Sequence, residues 1–383
     1  MKILHTSDWH IGKRLADRER LSEQEEALDE IAAICAREKV DLVLVAGDVF
    51  DTFMPSAEAE ELFFRAVKKI AGQDRAIVAI SGNHDDGVRL SASAPLAGEQ
   101  GVYLFGNRPA GIPVGGNRPV RAVAAGDYWV VIENRAGEKV YINALPYPNE
   151  ARFREEKSDE EFSDKISRWI ARGEEGYDGS TPHILLAHLF VAGGRTSESE
   201  RNIDLGGARA VPQRCLPQEG YVALGHLHKP QRAAENARYS GSLLQYSFDE
   251  AGGRKGVCLL ETRGREFTVR EIPLTAGRGL VRLECNGTEE GLRLLQGRDG
   301  EFVELTLNLT APLTSSQTQA LSGACEGLVS LIARVKAEER AGIASRSALG
   351  AEELFTQYYQ SQFGEAPDGE LLQTFLSLLS EES

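Results

Sequence analysis

The chain has 383 residues, 42% hydrophobic and 26% charged, a globular composition with room for about two or three domains, which excludes collagen-like, low-complexity and largely disordered classes. Its 43 basic and 58 acidic residues give a net charge of −15, which excludes coating of nucleic acid by bulk attraction but leaves local binding open. No run approaches the roughly 20 apolar residues of a membrane span and the opening MKILHTSDWH turns polar too early for a signal peptide, so a cytoplasmic protein is expected.

The first third alternates apolar and amphipathic runs, the pattern of an α/β layered sheet. Residues 2–6, 41–46 and 76–80 read as buried strands, with helices over 22–38 and 56–71, and Ser22 with Glu25 forms a candidate capping box. From about residue 101 strands dominate, over 102–105, 128–133, 139–144, 183–187, 221–224, 256–261 and 267–272. The Gly- and Pro-rich stretch 107–119 reads as a loop, and 158–171 as an isolated helix opened by Ser158 and Glu161. These elements make a first domain of residues 1–275. After Pro273 the run Ala276-Gly277-Arg278-Gly279 is a candidate linker. A small α+β domain over 280–338 follows, with strands at 280–285, 301–307 and 328–335 and helices at 289–295 and 315–325. Residues 339–350 read as a tether to a helical tail, 351–383, which holds seven acids and no Lys or Arg. Leu354, Phe355, Tyr358, Tyr359 and Phe363 put an apolar face on a first tail helix. Leu371, Leu372, Phe375, Leu376 and Leu379 do so on a second, and residues 364–369 break them apart. The five cysteines, Cys35, Cys215, Cys258, Cys285 and Cys325, are scattered without a C-x-x-C spacing and fit reduced thiols.

The chemistry sits at strand ends, where open α/β sheets place ligand sites. The first three strands run into Asp8-Trp9-His10, Gly47-Asp48-Val49-Phe50-Asp51 and Gly82-Asn83-His84-Asp85; later, His188 closes HILLAH and Gly225-His226-Leu227-His228 closes YVALG. Asp8 with His10, and His226 with His228, are two residues apart, so in extended backbone both members of each pair face one side, as chelation requires. Imidazole suits manganese, iron or zinc, carboxylate and amide oxygens keep the set hard enough for octahedral ions, and the lack of cysteine argues against a structural zinc. One carboxylate can bridge two ions about 4 Å apart for in-line attack on phosphorus, and Asp48 is the natural bridge. A single acid or histidine at a strand end is usually a cap, but here His10, His84, His188, His226 and His228, five of the seven histidines, all follow predicted strands. His5 and His183 lie within or at the start of strands and read as hydrogen-bonded core or edge histidines.

The ordered motifs Asp8-x-His10, Gly47-Asp48-x-x-Asp51, Gly82-Asn83-His84-Asp85, His188 and Gly225-His226-x-His228 resemble those of the calcineurin-like metallophosphoesterases. The finer text, HTSDWHIGKRL, GDVFDTFMPS, GNHDD, HLFV, GHLHKPQ and GSLLQYSFDE, is similar to the SbcD family of bacterial nuclease subunits over residues 1–275. The resemblance implies a four-layer αββα domain, a capping domain at 280–338 that grips DNA, and two manganese ions, with magnesium or another divalent ion as alternatives. Asp8, His10, Asp48 and His228 would hold one ion, and Asp48, Asn83, His188 and His226 the other. His84 would face the scissile phosphate as a non-ligand, and in related phosphatases an acid at the position of Asp51 orients that histidine. The implied function is a manganese-dependent DNA nuclease, a 3′ to 5′ double-strand exonuclease and a single-strand and hairpin endonuclease. It would act in DNA repair with an SbcC-type ATPase, whose docking element would be the tail 351–383. A homodimer within a heterotetramer is also implied, supported by the wide apolar surface of Leu62, Phe63, Phe64, Val67 and Ile70. Lys13, Arg14 and Arg89 are candidates for backbone contacts to DNA. The alternatives are a phosphatase or cyclic-nucleotide phosphodiesterase of the same fold, and a non-catalytic scaffold for the ATPase. Protein phosphatases of this lineage follow GDxxD with Arg, where this chain has Thr52, and a scaffold would have no physical need for ligands at every position.

Overall fold

The computed structural model describes residues 1–109, 111–153, 159–200, 210–335, 351–363 and 366–381. The first sheet begins with β1 (Lys2–Thr6), followed by α1 (Leu21–Glu38), β2 (Leu42–Ala46), α2 (Ala57–Ala71), β3 (Ala76–Ile80), the short helices α3 (Gly87–Ser91) and α4 (Ala94–Glu99), and β4 (Val102–Phe105). All four strands are parallel, which requires cover on both faces and explains the unbroken apolar text of β2 and β3. In β2, Val43 and Val45 face α1 and α2, while Leu42, Leu44 and Ala46 face the other way. Ser56 caps α2 by accepting from the Ala59 amide at 3.3 Å. The capping box expected of Ser22 and Glu25 does not form. Helix α1 starts one residue earlier, after Arg20, with no side-chain cap. The buried Arg20 guanidinium draws Glu23 to 2.5 Å instead, so the first turn is organised by an ion pair.

The second sheet runs β5 (Arg121–Gly126), β6 (Trp129–Glu133), β7 (Lys139–Leu145), then α5 (Glu150–Phe153), α6 (Phe162–Arg172), β8 (His183–His188), β9 (Tyr221–Gly225), β10 (Gln231–Arg232) and β11 (Ala237–Tyr239). Its order is β10-β11-β9-β8-β7-β6-β5, with β7, β8, β9 and β11 parallel. The pairs β5 with β6 and β6 with β7 are antiparallel. Glu161 precedes α6 without a capping bond, and Ser158 lies outside the described residues. Two antiparallel strands, β12 (Gly256–Arg263) and β13 (Glu266–Pro273), complete the first sheet as β13-β12-β1-β2-β3-β4.

Three apolar layers make the stack. One lies between α1, α2 and the first sheet, one between the two sheets, and one between the second sheet and α6, where Ile166, Trp169 and Ile170 meet Leu185 and Val222. The order helix, sheet, sheet, helix is the expected αββα fold. His5 is buried between the sheets, its ring nitrogens 3.1 Å from the Tyr221 hydroxyl and 3.2 Å from the Leu224 carbonyl. Burial pushes its pKa down to about 3, as for a neutral core histidine. His183 lies 3.0 Å from the Glu174 carboxylate.

A three-stranded sheet, β14-β15-β16, follows, from β14 (Leu280–Asn286), α7 (Thr288–Leu295), β15 (Phe302–Leu309), α8 (Ser315–Gly323) and β16 (Leu328–Val335). The chain divides into two compact units, Met1–Leu307 with Ser315–Ile332, and Asn308–Thr314 with Ala333–Ser383. The second contains α9 (Ala351–Phe363) and α10 (Gly369–Glu381). These helices meet through Phe355 and Phe375, whose rings stack at 4.0 Å, while Leu354, Tyr358 and Leu371 remain exposed. The expected tether 339–350 lies outside the described residues, as do residues 364 and 365 of the expected break.

Candidate metal centre

The carboxyl ends of β1, β2, β3, β8 and β9 converge, bringing Asp8, His10, Asp48, Asn83, His84, His188, His226 and His228 into one buried group. The backbone is strained there. Asp8, His10, Asp48 and His226 adopt positive φ angles of 51°, 45°, 49° and 106°, a region that costs a non-glycine residue about 1–3 kcal/mol. Bonds between the loops hold them in place. The amides of Asp8 and His10 donate to the Gly47 and Asp48 carbonyls at 3.0 Å, the His84 amide donates to Asp48 Oδ1 at 2.8 Å, and the His226 amide donates to Asp8 Oδ1 at 3.0 Å. Gly82 is required because a Cβ there would come within 2.1 Å of Asp48 Oδ1.

The donor atoms form overlapping sets. One atom each from Asp8, His10 and His228 lie within 4.8 Å of one another, as do atoms from Asp8, Asp48 and His188, and from His10, Asp48 and His84. Asp48 Oδ2 is 3.5 Å from both His10 Nε2 and His188 Nε2, so one oxygen touches both halves of the group. Asn83 Oδ1 is 2.8 Å from His188 Nε2 and 2.9 Å from His226 Nδ1. The Nε2 atoms of His10 and His228 approach to 2.9 Å, two ring nitrogens aimed at one place. His188 donates Nδ1–H to the Ala46 carbonyl at 2.8 Å, which turns its Nε2 toward the centre.

Electrostatics points the same way. Burial pushes the Asp8 carboxyl up to about 7, with nearby His188 opposing the rise. Burial also pulls His10 well below the ordinary imidazole value and takes His226 down to about 3. For Asp48, burial acts to raise the pKa, but the fields of His188 and His84 outweigh it and hold the carboxylate ionised. At His188 burial acts to lower the pKa, but the Asp48 carboxylate outweighs it and pushes the ring up to about 9. With that ring deprotonated on binding, imidazoles, an amide oxygen and carboxylates sharing one water-poor space suit divalent cations.

His84 is held by a part of Asp51 that sequence patterns do not report. Its Nδ1 donates to the Asp51 main-chain carbonyl at 2.7 Å, whereas the Asp51 carboxylate is 3.6 Å from that nitrogen. The carboxylate accepts from Lys13 Nζ at 2.8 Å and lies 3.4 Å from His10 Nδ1. Lys13 is thus paired within the protein. So are Arg14, with Glu19 at 2.7 Å, and Arg89, with Glu60 at 2.8 Å.

Several residues that shape the group carry no separate motif. The buried Asp85 carboxylate accepts from the Val49, Phe50 and Gly82 amides at 3.1, 2.9 and 2.8 Å, tying the β2 and β3 loops together. The Arg152 guanidinium lies between the Phe53 and Tyr147 rings and donates to the Gly82 and Asn83 carbonyls at 2.6 and 2.8 Å. Asp85 stands inside the GNHDD text; nothing near Arg152 in the sequence marks it.

The chain belongs to the calcineurin-like phosphoesterase family, whose model matches residues 1–230. It is a metal-dependent hydrolase. Within that class it is similar to the SbcD component of the nuclease SbcCD of Bacillus subtilis, 38% identical over 401 residues that cover 99% of this chain and 98% of the relative. The protein of that name from Rhodobacter capsulatus is 36% identical, covering 86% of this chain and 85% of its own length. That from Staphylococcus saprophyticus is 32% identical, covering 75% and 72%. Among the described residues no helix is long and apolar enough to cross a membrane.

Proposed function

We propose that the chain is a manganese-dependent DNA nuclease, a 3′ to 5′ double-strand exonuclease and a single-strand and hairpin endonuclease, working with an SbcC-type ATPase in the cytoplasm. The observation that carries the phosphodiesterase chemistry is Asp48 Oδ2, equidistant at 3.5 Å from His10 and His188. Asp8, His10, Asp48 and His228 would hold one ion and Asp48, Asn83, His188 and His226 a second. Two divalent ions would polarise the phosphoryl group, lower the pKa of the attacking water and supply positive charge that an acidic protein lacks. His84, tethered by Nδ1, would present its other nitrogen to the phosphate or leaving oxygen. Asp51 would fix that ring by its carbonyl. The DNA assignment draws its support from the likeness to a named nuclease component along the full chain. The test is digestion of end-labelled hairpin and duplex DNA with manganese, beside a phosphomonoester and a cyclic nucleotide. Stepwise shortening of duplex ends and hairpin opening are expected; hydrolysis confined to the small esters would overturn the reading.

The three-stranded sheet of residues 280–335 would be the capping domain that grips DNA, and α9 with α10 the element that docks the ATPase. The exposed Leu354, Tyr358 and Leu371, in a tail with acids and no bases, suit a partly basic partner surface. A homodimer would use the exposed Phe53, Met54 and Phe64; Leu62, Phe63, Val67 and Ile70 are buried in their own domain and contribute nothing to such a surface. Ending the chain at Gly350 is expected to abolish co-purification with the ATPase while keeping single-strand cleavage and, by light scattering, twice the monomer mass. Retained ATPase binding, or a monomer mass, would overturn the respective assignment.

A further inference from the structure

His228 is gripped from two sides by a buried ion pair outside the donor group. Lys255 and Glu250 are both buried and in direct contact. The Lys255 ammonium also donates to the His228 carbonyl at 2.7 Å and to Ser242 Oγ at 2.8 Å, filling all three of its N–H positions. On the other side, Ser199 Oγ lies 2.7 Å from Glu250 Oε1 and 2.6 Å from His228 Nδ1. A hydroxyl has one proton, and an ionised carboxylate can only accept. Ser199 therefore donates to Glu250, its lone pairs face His228, and the proton between the ring and the hydroxyl belongs to Nδ1. The His228 amide is held as well, donating to the buried Glu200 at 2.8 Å.

We infer that Lys255, Glu250 and Ser199 are positioning residues that lock His228 in its Nδ1–H tautomer and so aim the Nε2 lone pair at the place shared with His10. The inference rests on the proposed reading of His228 as a metal ligand. Without Ser199 the ring loses the acceptor that selects the tautomer, and its Nε2 can take the proton, which disables it as a donor to a cation. The direct separation of His228 Nδ1 from Glu250, 3.9 Å, is too long for the carboxylate to do this alone. The Ser199 hydroxyl also lies 3.0 Å from Ser197 Oγ; when it is removed, Glu250 keeps Lys255 and the Ser247 hydroxyl at 3.0 Å, and Ser197 keeps its bond to Glu200 at 3.1 Å.

The test uses Ser199→Ala, Ser199→Thr and His228→Ala in the full-length chain. Long-range proton–nitrogen NMR of the metal-free protein, with labelled histidine, is expected to show His228 protonated at Nδ1 in the wild type and in Ser199→Thr. In Ser199→Ala it is expected to show a mixture of tautomers. Manganese titration calorimetry should show affinity at one site about 10- to 100-fold weaker in Ser199→Ala, the size typical for a lost ligand-orienting partner, with recovery in Ser199→Thr. An unchanged tautomer and unchanged manganese affinity in Ser199→Ala would overturn the inference. His228→Ala separates the two failures: if it keeps full manganese binding, the ligand reading of His228 falls, whereas if it loses a site that Ser199→Ala retains, only the positioning role does.

Discussion

Asp48→Ala is expected to abolish cleavage and to remove both manganese sites, the largest loss from any single change at the centre. Its Oδ2 stands 3.5 Å from a ring nitrogen on each side, and its Oδ1 accepts the His84 amide. On the proposed two-ion reading the change would strip the shared oxygen and leave the ions facing each other with less screening, and it strands a buried amide at a cost of about 1–3 kcal/mol. On the same reading, losing His10 or His188 would remove a ligand from one side alone and should be milder. Isothermal titration with manganese decides it: two sites surviving in Asp48→Ala would mean that the carboxylate does not bridge. Asp48→Asn keeps an oxygen for the His84 amide while losing the charge, and so separates the loop contact from the electrostatics.

His84→Ala is expected to lower cleavage by about a hundredfold or more, the scale of a lost proton-transfer group, with both ions retained. The distinction is a demanding one, because a His84 nitrogen lies within 4.8 Å of donor atoms from His10 and Asp48, close enough to have served as a ligand. The tether of Nδ1 to the Asp51 carbonyl at 2.7 Å fits either role, as the like bond from His188 Nδ1 to the Ala46 carbonyl shows, so metal content is what discriminates. Elemental analysis run beside the nuclease rate checks the outcome. If manganese leaves with the activity, His84 is a ligand and the assignment of its chemistry is wrong.

The strands and the donor group are legible in the sequence for different reasons. β1 to β4 can be read because a parallel sheet covered on both faces demands unbroken apolar runs, and the donor residues because each interrupts such a run at its carboxyl end. β5 escapes that reading: its text, RAVAAG, is short in large apolar residues, and it is a bulged edge strand that needs few. α3 and α4, of five and six residues, are too short for a helical period to reveal them. Ser199, Lys255 and Arg152 leave no signal because their role depends on distance in space, and Glu250, though it closes the text GSLLQYSFDE, gains its role only from what the fold brings beside it. The Asp51 carbonyl is a sharper case, since a main-chain oxygen has no letter of its own.

The first sheet also sets an order of assembly. β1 pairs with β2, some 40 residues on, but its other edge pairs with β12, where Lys2 meets Glu261. During synthesis that edge therefore stays open until more than two thirds of the chain has been made, and an unpaired apolar edge is a template for wrong partners. Asp8 and His10 follow directly from β1, while His226 and His228 emerge far later, after β9 but still before β12 can close the edge. Pairings this distant in sequence fold slowly. The chain's vulnerable interval, and the point at which a chaperone or a divalent ion would change its yield, falls between the translation of β4 and that of β12.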